Sequence, residues 1–302
     1  MTLSKVRGVF ASGTHCGIKQ NEALDLAYIY VPNCVGSAIV QSQNVIRSTT
    51  LDHNERVFKN GPVKLMIINS GNANAVTGDI GDLHVKQTVE KAASVFNCSK
   101  ESIGVASTGI IGVPLPIQLI LEGLEKFTGA QQDDKAVSQA ILTTDLVPKT
   151  VSRKLKINRQ LINFSGITKG SGMIAPNMAT TLGFITTDIA LDNDQCRKIL
   201  TTAIDQSYNM ISVDSDSSTN DLVTLQSSGE IELDLSDDDL LSIQQIITDL
   251  CIDLAQQVVR DGEGAKHFIE VNVSGAQSQS DARTVAKLVV NSPLVKTAIA
   301  GR

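Results

Sequence analysis

Residues 168–188 read TKGSGMIAPNMATTLGFITTD, and this stretch indicates both the fold and the chemistry of the chain. Two glycines and a proline lie ahead of two adjacent threonines, Thr180 and Thr181, which open the apolar run 182–186. Glycines let a backbone turn sharply and approach other groups closely, and the apolar run is typical of a buried strand. A threonine at the start of such a strand is most often only a strand former. The alternative is that Thr180 is a nucleophile.

A nucleophilic threonine needs a base, because its hydroxyl is a weak acid. If the chain is cut between Ala179 and Thr180, the new α-amino group sits on the nucleophile itself. The reference pKa of such a group, roughly 7.7 to 8.0, suits a proton acceptor near neutral pH. The four histidines show no metal-binding spacing, and the sequence has no GxSxG elbow. These absences favour the terminal amine as the base.

Strand-like and helix-like segments alternate around this stretch, which predicts a layered α/β (α+β) fold. Strands are predicted from apolar runs and period-two alternation at residues 64–68, 151–157, 182–186, 222–225, 231–235 and 268–273. Helices are predicted at residues 85–96 and 194–208. A third, long helix begins at Ser236, where Asp239 completes a capping box, and ends before Gly262.

Composition excludes several classes of protein. The chain has 302 residues, 42% hydrophobic and 19% charged, which is a globular composition. Its net charge of -6 argues against binding a nucleic-acid backbone. No apolar run approaches the roughly 18 to 20 residues of a membrane span, and the N-terminus has no signal-peptide core. Five scattered cysteines without a CxxC motif predict neither disulfides nor a zinc site. We therefore expect a soluble cytoplasmic protein without metal, cofactor, nucleic-acid or membrane partner.

Other polar segments are candidates for supporting the nucleophile. In ASTGIIGVPLP (106–116), the Thr108 hydroxyl and the Gly109 N–H could form an oxyanion hole, or the segment could be an ordinary turn. In DGEGAK (261–266), Glu263 could bind an ammonium group or be an exposed turn carboxylate. NSGNANAVTG (69–78) could line a pocket or only form turns. DSDSSTND (214–221) begins like a calcium loop but lacks the required Gly and Glu, so a polar turn is expected.

Seven segments together resemble the ornithine acetyltransferases, the bifunctional arginine-biosynthesis proteins that include glutamate N-acetyltransferase activity. In this order along the chain they are INSGNANAVTG, ASTGIIGVPLP, ILTTDLVPK, KGSGMIAPNMATTLGF, SVDSDSSTND, DGEGAK and NSPLVKTAIAG. The resemblance runs from about residue 6 to the end of the chain. It implies a sandwich fold shared with aminopeptidase relatives and a precursor that cuts itself between Ala179 and Thr180.

The resemblance also implies a reaction. Residues 1–179 would form an alpha chain and 180–302 a beta chain, which stay associated and assemble into oligomers of alpha–beta pairs. Thr180 would take an acetyl group from N2-acetyl-L-ornithine and pass it to L-glutamate. Some members of the family also use acetyl-CoA as the donor.

Residue by residue, the resemblance assigns the oxyanion hole to Thr108 and Gly109. The residues that it assigns to substrate binding are Thr143, Lys169, Thr180 and Glu263.

This chain differs from the family pattern in two places. Thr181 stands where the family commonly has Met, so two adjacent threonines compete for the nucleophile role, and the register after Ala179 favours Thr180. The chain ends soon after NSPLVKTAIAG, whereas family members continue and contribute an Asn to the substrate site. We therefore expect a beta chain truncated at its C-terminus. Two alternatives to the acetyltransferase stay open: an amidohydrolase or aminopeptidase using the same threonine, and an inactive truncated member.

Overall fold

Two β-sheets packed face to face form the centre of the chain in a computed structural model that describes residues 2–128, 131–174 and 181–301. In spatial order the first sheet contains β1 (Phe10–Thr14), β2 (Leu26–Tyr30), β4 (Leu65–Asn72) and β5 (Ile103–Ile110). The second contains β3 (Gly36–Gln41), β9 (Leu222–Ile231), β8 (Leu182–Ile189), β7 (Gln160–Lys169) and β6 (Lys149–Ile157). The core between the sheets includes Ala27, Ile29, Met66, Ile68, Ile167, Leu182, Phe184 and Leu222.

Eight helices surround the sheets in the described part of the chain. They are α1 (Thr49–Asn60), α2 (Asp79–Phe96), α3 (Ile117–Leu124), α4 (Asp134–Ala140), α5 (Asn193–Gln206), α6 (Asp237–Arg260), α7 (Gln279–Asn291) and α8 (Pro293–Ala300). Short 3-10 helices occupy Leu3–Lys5, Lys100–Ser102 and Tyr208–Met210. Helices α2 and α3 pack on the first sheet and α5 and α6 on the second, which gives the layer order α/β/β/α. Across the described ranges, none of the helices combines the length and apolar character needed to cross a bilayer.

The strand register brings several strand ends together at one end of the sandwich. β8 is antiparallel to β7 and parallel to β9, with Leu182 opposite both Lys169 and Leu222. In the first sheet β4 and β5 are parallel, with Gly71 opposite Gly109. Every residue of β8 is buried, because this central strand is covered on both faces. The C-terminal end of β7 and the N-terminal ends of β8 and β9 therefore lie side by side at the same end of the second sheet.

The long helix α6 confirms the sequence prediction. Ser236 caps it, and the Ser236 and Asp239 side chains form the two reciprocal bonds of a capping box. The apolar stripe is buried against the second sheet through Ile243, Ile247, Leu250, Leu254 and Val258. The predicted helices 85–96 and 194–208 correspond to α2 and α5.

Two strand predictions were wrong. The predicted strand 222–225 is the start of β9, which continues through the buried Gln226, Ser227 and Ser228 and ends at Ile231, so the predicted separate strand 231–235 does not form. Each of these side chains donates a hydrogen bond to a backbone carbonyl, so polar residues are accommodated inside the sheet. The predicted strand 268–273 pairs with no strand in the described part of the chain. Instead, the Phe268 ring lies 4.2 Å from the Arg260 guanidinium at the end of α6.

Candidate active site

A cleft of about 1040 Å³ opens where the end of β5 in the first sheet faces the ends of β7 and β8 in the second. Five residues that the sequence analysis assigned to the site line this cleft: Thr108, Gly109, Thr143, Lys169 and Glu263. The structure thus brings together residues up to 155 positions apart in the sequence. Ala179 and Thr180 lie outside the described residues. Their neighbour Thr181 lines the same cleft.

The turn at the end of β5 requires a glycine. Gly109 has a φ of 136°, and a Cβ built there would lie 2.3 Å from the backbone carbon of Gly71 and 2.5 Å from the nitrogen of Asn72. This close approach follows from the parallel register of β4 and β5. Thr108 is half-buried and Gly109 is exposed on the cleft wall. The Thr108 side chain and the exposed backbone of Gly109 are therefore adjacent at the cleft.

Amide side chains hold the loops that carry this turn. The Asn220 amide donates to the carbonyl of Ala73, at 2.5 Å, and to that of Ser107, at 2.8 Å. The Ser107 hydroxyl donates to Asn69 Oδ1 at 2.6 Å. The segment 69–78 therefore serves both of the functions considered for it, because Gly71 lines the cleft while its asparagines shape the turns. Asn220 was not identified from the sequence, and its only signal was its place in DSDSSTND.

Lys169 connects the two sheets across the cleft. It is the last residue of β7 and only 8% exposed, and its Nζ donates to Thr108 Oγ1 over 3.3 Å. Burial lowers the pKa of Lys169, and the carboxylates of Asp145 and Asp221 oppose this effect. A buried ammonium beside an open cleft can bind an anionic group of a substrate.

A buried ion cluster, Asp145–Lys149–Asp261, lies behind the cleft. Lys149 Nζ is 2.6 Å from Asp145 Oδ1 and 2.6 Å from Asp261 Oδ2. Asp145 in turn accepts hydrogen bonds from the backbone N–H of Gly170, at 2.7 Å, and of Thr143, at 3.0 Å. The cluster therefore fixes the backbone of Thr143 and of the residue that follows Lys169.

The same cluster orients the loop that carries Glu263. The Asp261 carbonyl accepts the Ser171 hydroxyl at 2.6 Å, and the Glu263 N–H donates to the Ser171 carbonyl at 3.0 Å. A Cβ at Gly172 would lie 2.8 Å from the carboxylate carbon of Glu263, so glycine leaves room for this side chain. Glu263 is exposed, and it lines the cleft. Both possibilities considered for it, a turn carboxylate and a cleft carboxylate, are thus compatible with its position.

The Asp145–Lys149–Asp261 cluster was not predicted. Its sequence signal is weak, because Lys149 follows a proline in ILTTDLVPK and reads as a surface residue until its burial is known.

Thr181 uses its hydroxyl for structure. Its Oγ1 donates to the Lys169 carbonyl and lies 2.9 Å from Thr168 Oγ1, and the residue is 3% exposed. Its carbonyl accepts the Leu222 N–H at 2.9 Å. A hydroxyl committed to a backbone carbonyl is a poor nucleophile, and this commitment favours Thr180 in the competition between the two threonines.

Asp221 is a buried acid on the cleft wall. It is 3% exposed, and its Oδ2 has no hydrogen-bond partner among the described residues. Burial raises the pKa of Asp221 well above its ordinary value, and Ser218 and Lys169 oppose only part of this effect.

We expect Asp221→Asn to stabilise the protein in a pH-dependent way. Because the folded-state pKa of Asp221 is raised, folding is penalised once the pH exceeds the ordinary Asp pKa of about 4. The Asn variant escapes this penalty, so its free energy of unfolding should exceed that of wild type at pH 8. The advantage should shrink as the pH falls towards 4. Denaturant unfolding at both pH values measures it, and an equal difference at both would contradict the burial argument.

Metal-binding geometry is not found in the described ranges, where no three His, Cys, Asp or Glu side chains form a candidate cluster. In the calcium-like segment, Asp214 accepts backbone hydrogen bonds from Met173 and Ile174.

The fold and the cleft together define a class of protein. A layered α/β enzyme in which a threonine-bearing strand start faces a hydroxyl–glycine turn has the arrangement needed for acyl transfer to a threonine. A sequence model described as the ArgJ family matches residues 10–302. The arginine biosynthesis bifunctional protein ArgJ of Gloeobacter violaceus is 40% identical over 306 residues, which cover 99% of this chain and 75% of that relative. The chain belongs to the ArgJ family, and it is an acyltransferase of arginine biosynthesis.

Solved structures agree with this assignment. The ornithine acetyltransferase of Mycobacterium tuberculosis, solved in complex with ornithine, matches with a TM-score of 0.54 and 30% identity. The match covers 59% of this chain and 96% of that one. A β-aminopeptidase of Burkholderia matches with a TM-score of 0.50 over 86% of both chains at 12% identity, which shows a shared fold alone. The predicted sandwich related to the aminopeptidases is confirmed.

Proposed function

We propose that the cleft transfers an acetyl group from N2-acetyl-L-ornithine to L-glutamate through an acetyl ester of Thr180. The observation that carries the proposal is the convergence of Thr108, Gly109, Lys169 and Glu263 on one cleft beside Thr181. The ornithine bound by the M. tuberculosis relative supports the choice of substrate class.

The proposed nucleophile arises by self-cleavage. The Thr180 hydroxyl oxygen adds to the Ala179 carbonyl carbon, and its proton passes to the Thr180 nitrogen as the C–N bond breaks. The resulting ester is hydrolysed by water, which leaves a carboxylate on Ala179 and a free hydroxyl and amine on Thr180. The products are an alpha chain, 1–179, and a beta chain, 180–302, which we propose stay associated as pairs within an oligomer.

In the transfer itself, the α-amino group of Thr180 takes the hydroxyl proton as the oxygen attacks the acetyl carbonyl. The Thr108 hydroxyl and the Gly109 N–H stabilise the oxyanion of the tetrahedral intermediate. Lys169 binds the α-carboxylate and Glu263 the ammonium group of the amino acid, with Thr143 as a further contact. The intermediate collapses as the amide C–N bond breaks, and the protonated α-amino group of Thr180 gives its proton to the departing ornithine nitrogen. The uncharged α-amine of glutamate then attacks the acetyl ester, its proton is taken up by the Thr180 amine and returned to the leaving Thr180 oxygen, and because ornithine leaves before glutamate enters the kinetics are ping-pong.

This chemistry uses hydroxyl, amine and backbone groups of the chain itself and needs no cofactor. We also propose acetyl-CoA as a second donor of the acetyl group. A cytoplasmic location is part of the proposal. The five cysteines are free thiols, as expected in a reducing compartment, and this supports the location.

Intact-mass measurement and a transfer assay on the wild-type protein test the proposal. We expect two fragments, the second beginning Thr-Thr-Leu, and acetylglutamate formation that depends on both substrates. A single uncut chain would exclude the mechanism. Acetate release that is unaffected by glutamate would instead indicate the amidohydrolase alternative. Clean cleavage without any transfer would indicate an inactive family member.

Gly109→Ala should strongly reduce catalysis. The added Cβ would overlap the Gly71 backbone, at 2.3 Å, so the turn must move and its N–H leaves the oxyanion position. Loss of one such donor lowers kcat by about 10²- to 10³-fold. Gly112→Ala is the matched control, because Gly112 also has a positive φ, but none of the described residues other than its chain neighbours has an atom within 4 Å of an added Cβ. Steady-state kinetics of both variants measure the effect, and an unchanged kcat in Gly109→Ala would remove Gly109 from the oxyanion hole.

A further inference from the structure

Asp214 binds the chain just ahead of the proposed cleavage site. Its Oδ2 accepts the N–H of Met173 at 2.6 Å, and its Oδ1 accepts the N–H of Ile174 at 2.7 Å. The neighbouring Val213 N–H donates to the Ile174 carbonyl at 2.6 Å. Three hydrogen bonds therefore connect residues 173–174 to residues 213–214, and two of them are made by a carboxylate, which strengthens them.

The other flank of the cleavage site is held in a similar way. The Thr181 carbonyl accepts the Leu222 N–H at 2.9 Å, where β9 begins. Both flanks of residues 175–180 are thus bound by the segment 213–222. Residues 213–222 and Thr181 all follow the proposed cut, so the three hydrogen bonds to Met173 and Ile174 cross it, whereas the Thr181–Leu222 bond lies within the proposed beta chain.

The backbone beside Asp214 is strained. Met173 has a φ of 55°, in the left-handed region that a residue with a Cβ seldom adopts. Such conformations are unfavourable and persist only where the surroundings impose them. Here the imposing groups are the Asp214 carboxylate and the Val213 N–H. Asp214 itself is exposed, so its carboxylate contributes little to packing of the core.

We propose that Asp214 is a positioning residue for self-cleavage, which fixes the backbone that enters the scissile segment. This inference rests on the proposed function, because it assumes the attack of the Thr180 hydroxyl on the Ala179 carbonyl. An intramolecular attack is fast only when the reacting atoms are held close and aligned. By binding Met173 and Ile174, Asp214 fixes the backbone from which the chain continues to the proposed scissile bond, five residues after Ile174.

The test is the rate of self-cleavage of the full-length chain, made by translation in vitro and followed by gel after translation is stopped. We expect Asp214→Ala to slow cleavage by on the order of 10- to 100-fold. Asp214→Asn should fall between Ala and wild type, because an amide oxygen accepts one bond without charge. The matched control is Asp216→Ala, an exposed acid in the same turn, which should cleave at the wild-type rate.

Thermal midpoints of all variants separate positioning from folding. Slow cleavage at an unchanged midpoint supports the proposal, and wild-type cleavage by Asp214→Ala overturns it. If Asp214→Ala also loses stability, Asp214→Asn decides: slowed cleavage at a native midpoint supports the proposal, and a wild-type rate overturns it. Failure of the wild-type chain to cleave would overturn the proposed function itself, which is a distinct result.

Discussion

A Thr180→Ala protein is expected to stay a single chain of 32.2 kDa and to lose acetyl transfer, whereas the wild type divides into two fragments. The variant lacks the oxygen that attacks the Ala179 carbonyl, so no ester forms and no free α-amino group is produced. Loss of a hydroxyl nucleophile costs on the order of 10⁶-fold in turnover, so no transfer should be measurable. Gel electrophoresis and intact mass measure the loss of self-cleavage, and the transfer assay measures the loss of acetyl transfer.

Thr181→Val is the matched control for this prediction. The Thr181 hydroxyl is bound to the Lys169 carbonyl, so its removal should cost about 1 kcal/mol of stability and leave cleavage intact. If Thr181→Val blocked cleavage while Thr180→Ala still divided, the nucleophile would be Thr181.

Lys149→Met is expected to destabilise the protein by about 3–5 kcal/mol. The Lys149 and Asp145 side chains are 0% exposed and that of Asp261 is 7% exposed, so the variant would remove the cation of the buried Asp261 and leave Asp145 with Lys169 alone. Although burial opposes it, the ammonium groups of Lys169 and Lys149 hold the pKa of Asp145 below its ordinary value. Because a typical domain is stable by about 5–15 kcal/mol, this loss would be a large fraction of the total.

Denaturant unfolding measures this loss. The control is the triple variant Lys149→Met, Asp145→Asn, Asp261→Asn, which removes the unpaired charges and should recover part of the stability. A Lys149→Met protein as stable as wild type would show that the cluster is not a significant source of stability.

Several parts of the fold and site were predictable because their signals are local. The α6 cap at Ser236 and the apolar run that forms β8 depend on near neighbours in sequence. Thr108 and Glu263 were candidates from their local sequence and Lys169 was identified through family resemblance, and only the structure shows that they share a cleft.

Other parts depend on contacts that are distant in sequence. The segment 268–273 has the alternation of a strand, but a strand also needs a partner. The polar Gln226 predicts the end of a strand, because the sequence does not show that its side chain donates a hydrogen bond to the Val63 carbonyl. Lys149 and Asn220 likewise act through partners more than 100 residues away, at Asp261 and Ser107.

The order of strands in the second sheet has a consequence for how the enzyme is made. In the order β3, β9, β8, β7 and β6, the strands β8 and β9 follow the proposed cut, while β3, β7 and β6 precede it. If the chain is cut at Thr180, each product carries only part of the second sheet. Strands β8 and β9 of the second product would then pair with β7 and β3 of the first. Separation of the products would then require unfolding. Synthesis as one polypeptide would let all five strands pair before the proposed cut. The cut protein would then keep a fold that two separately made chains could reach only by associating.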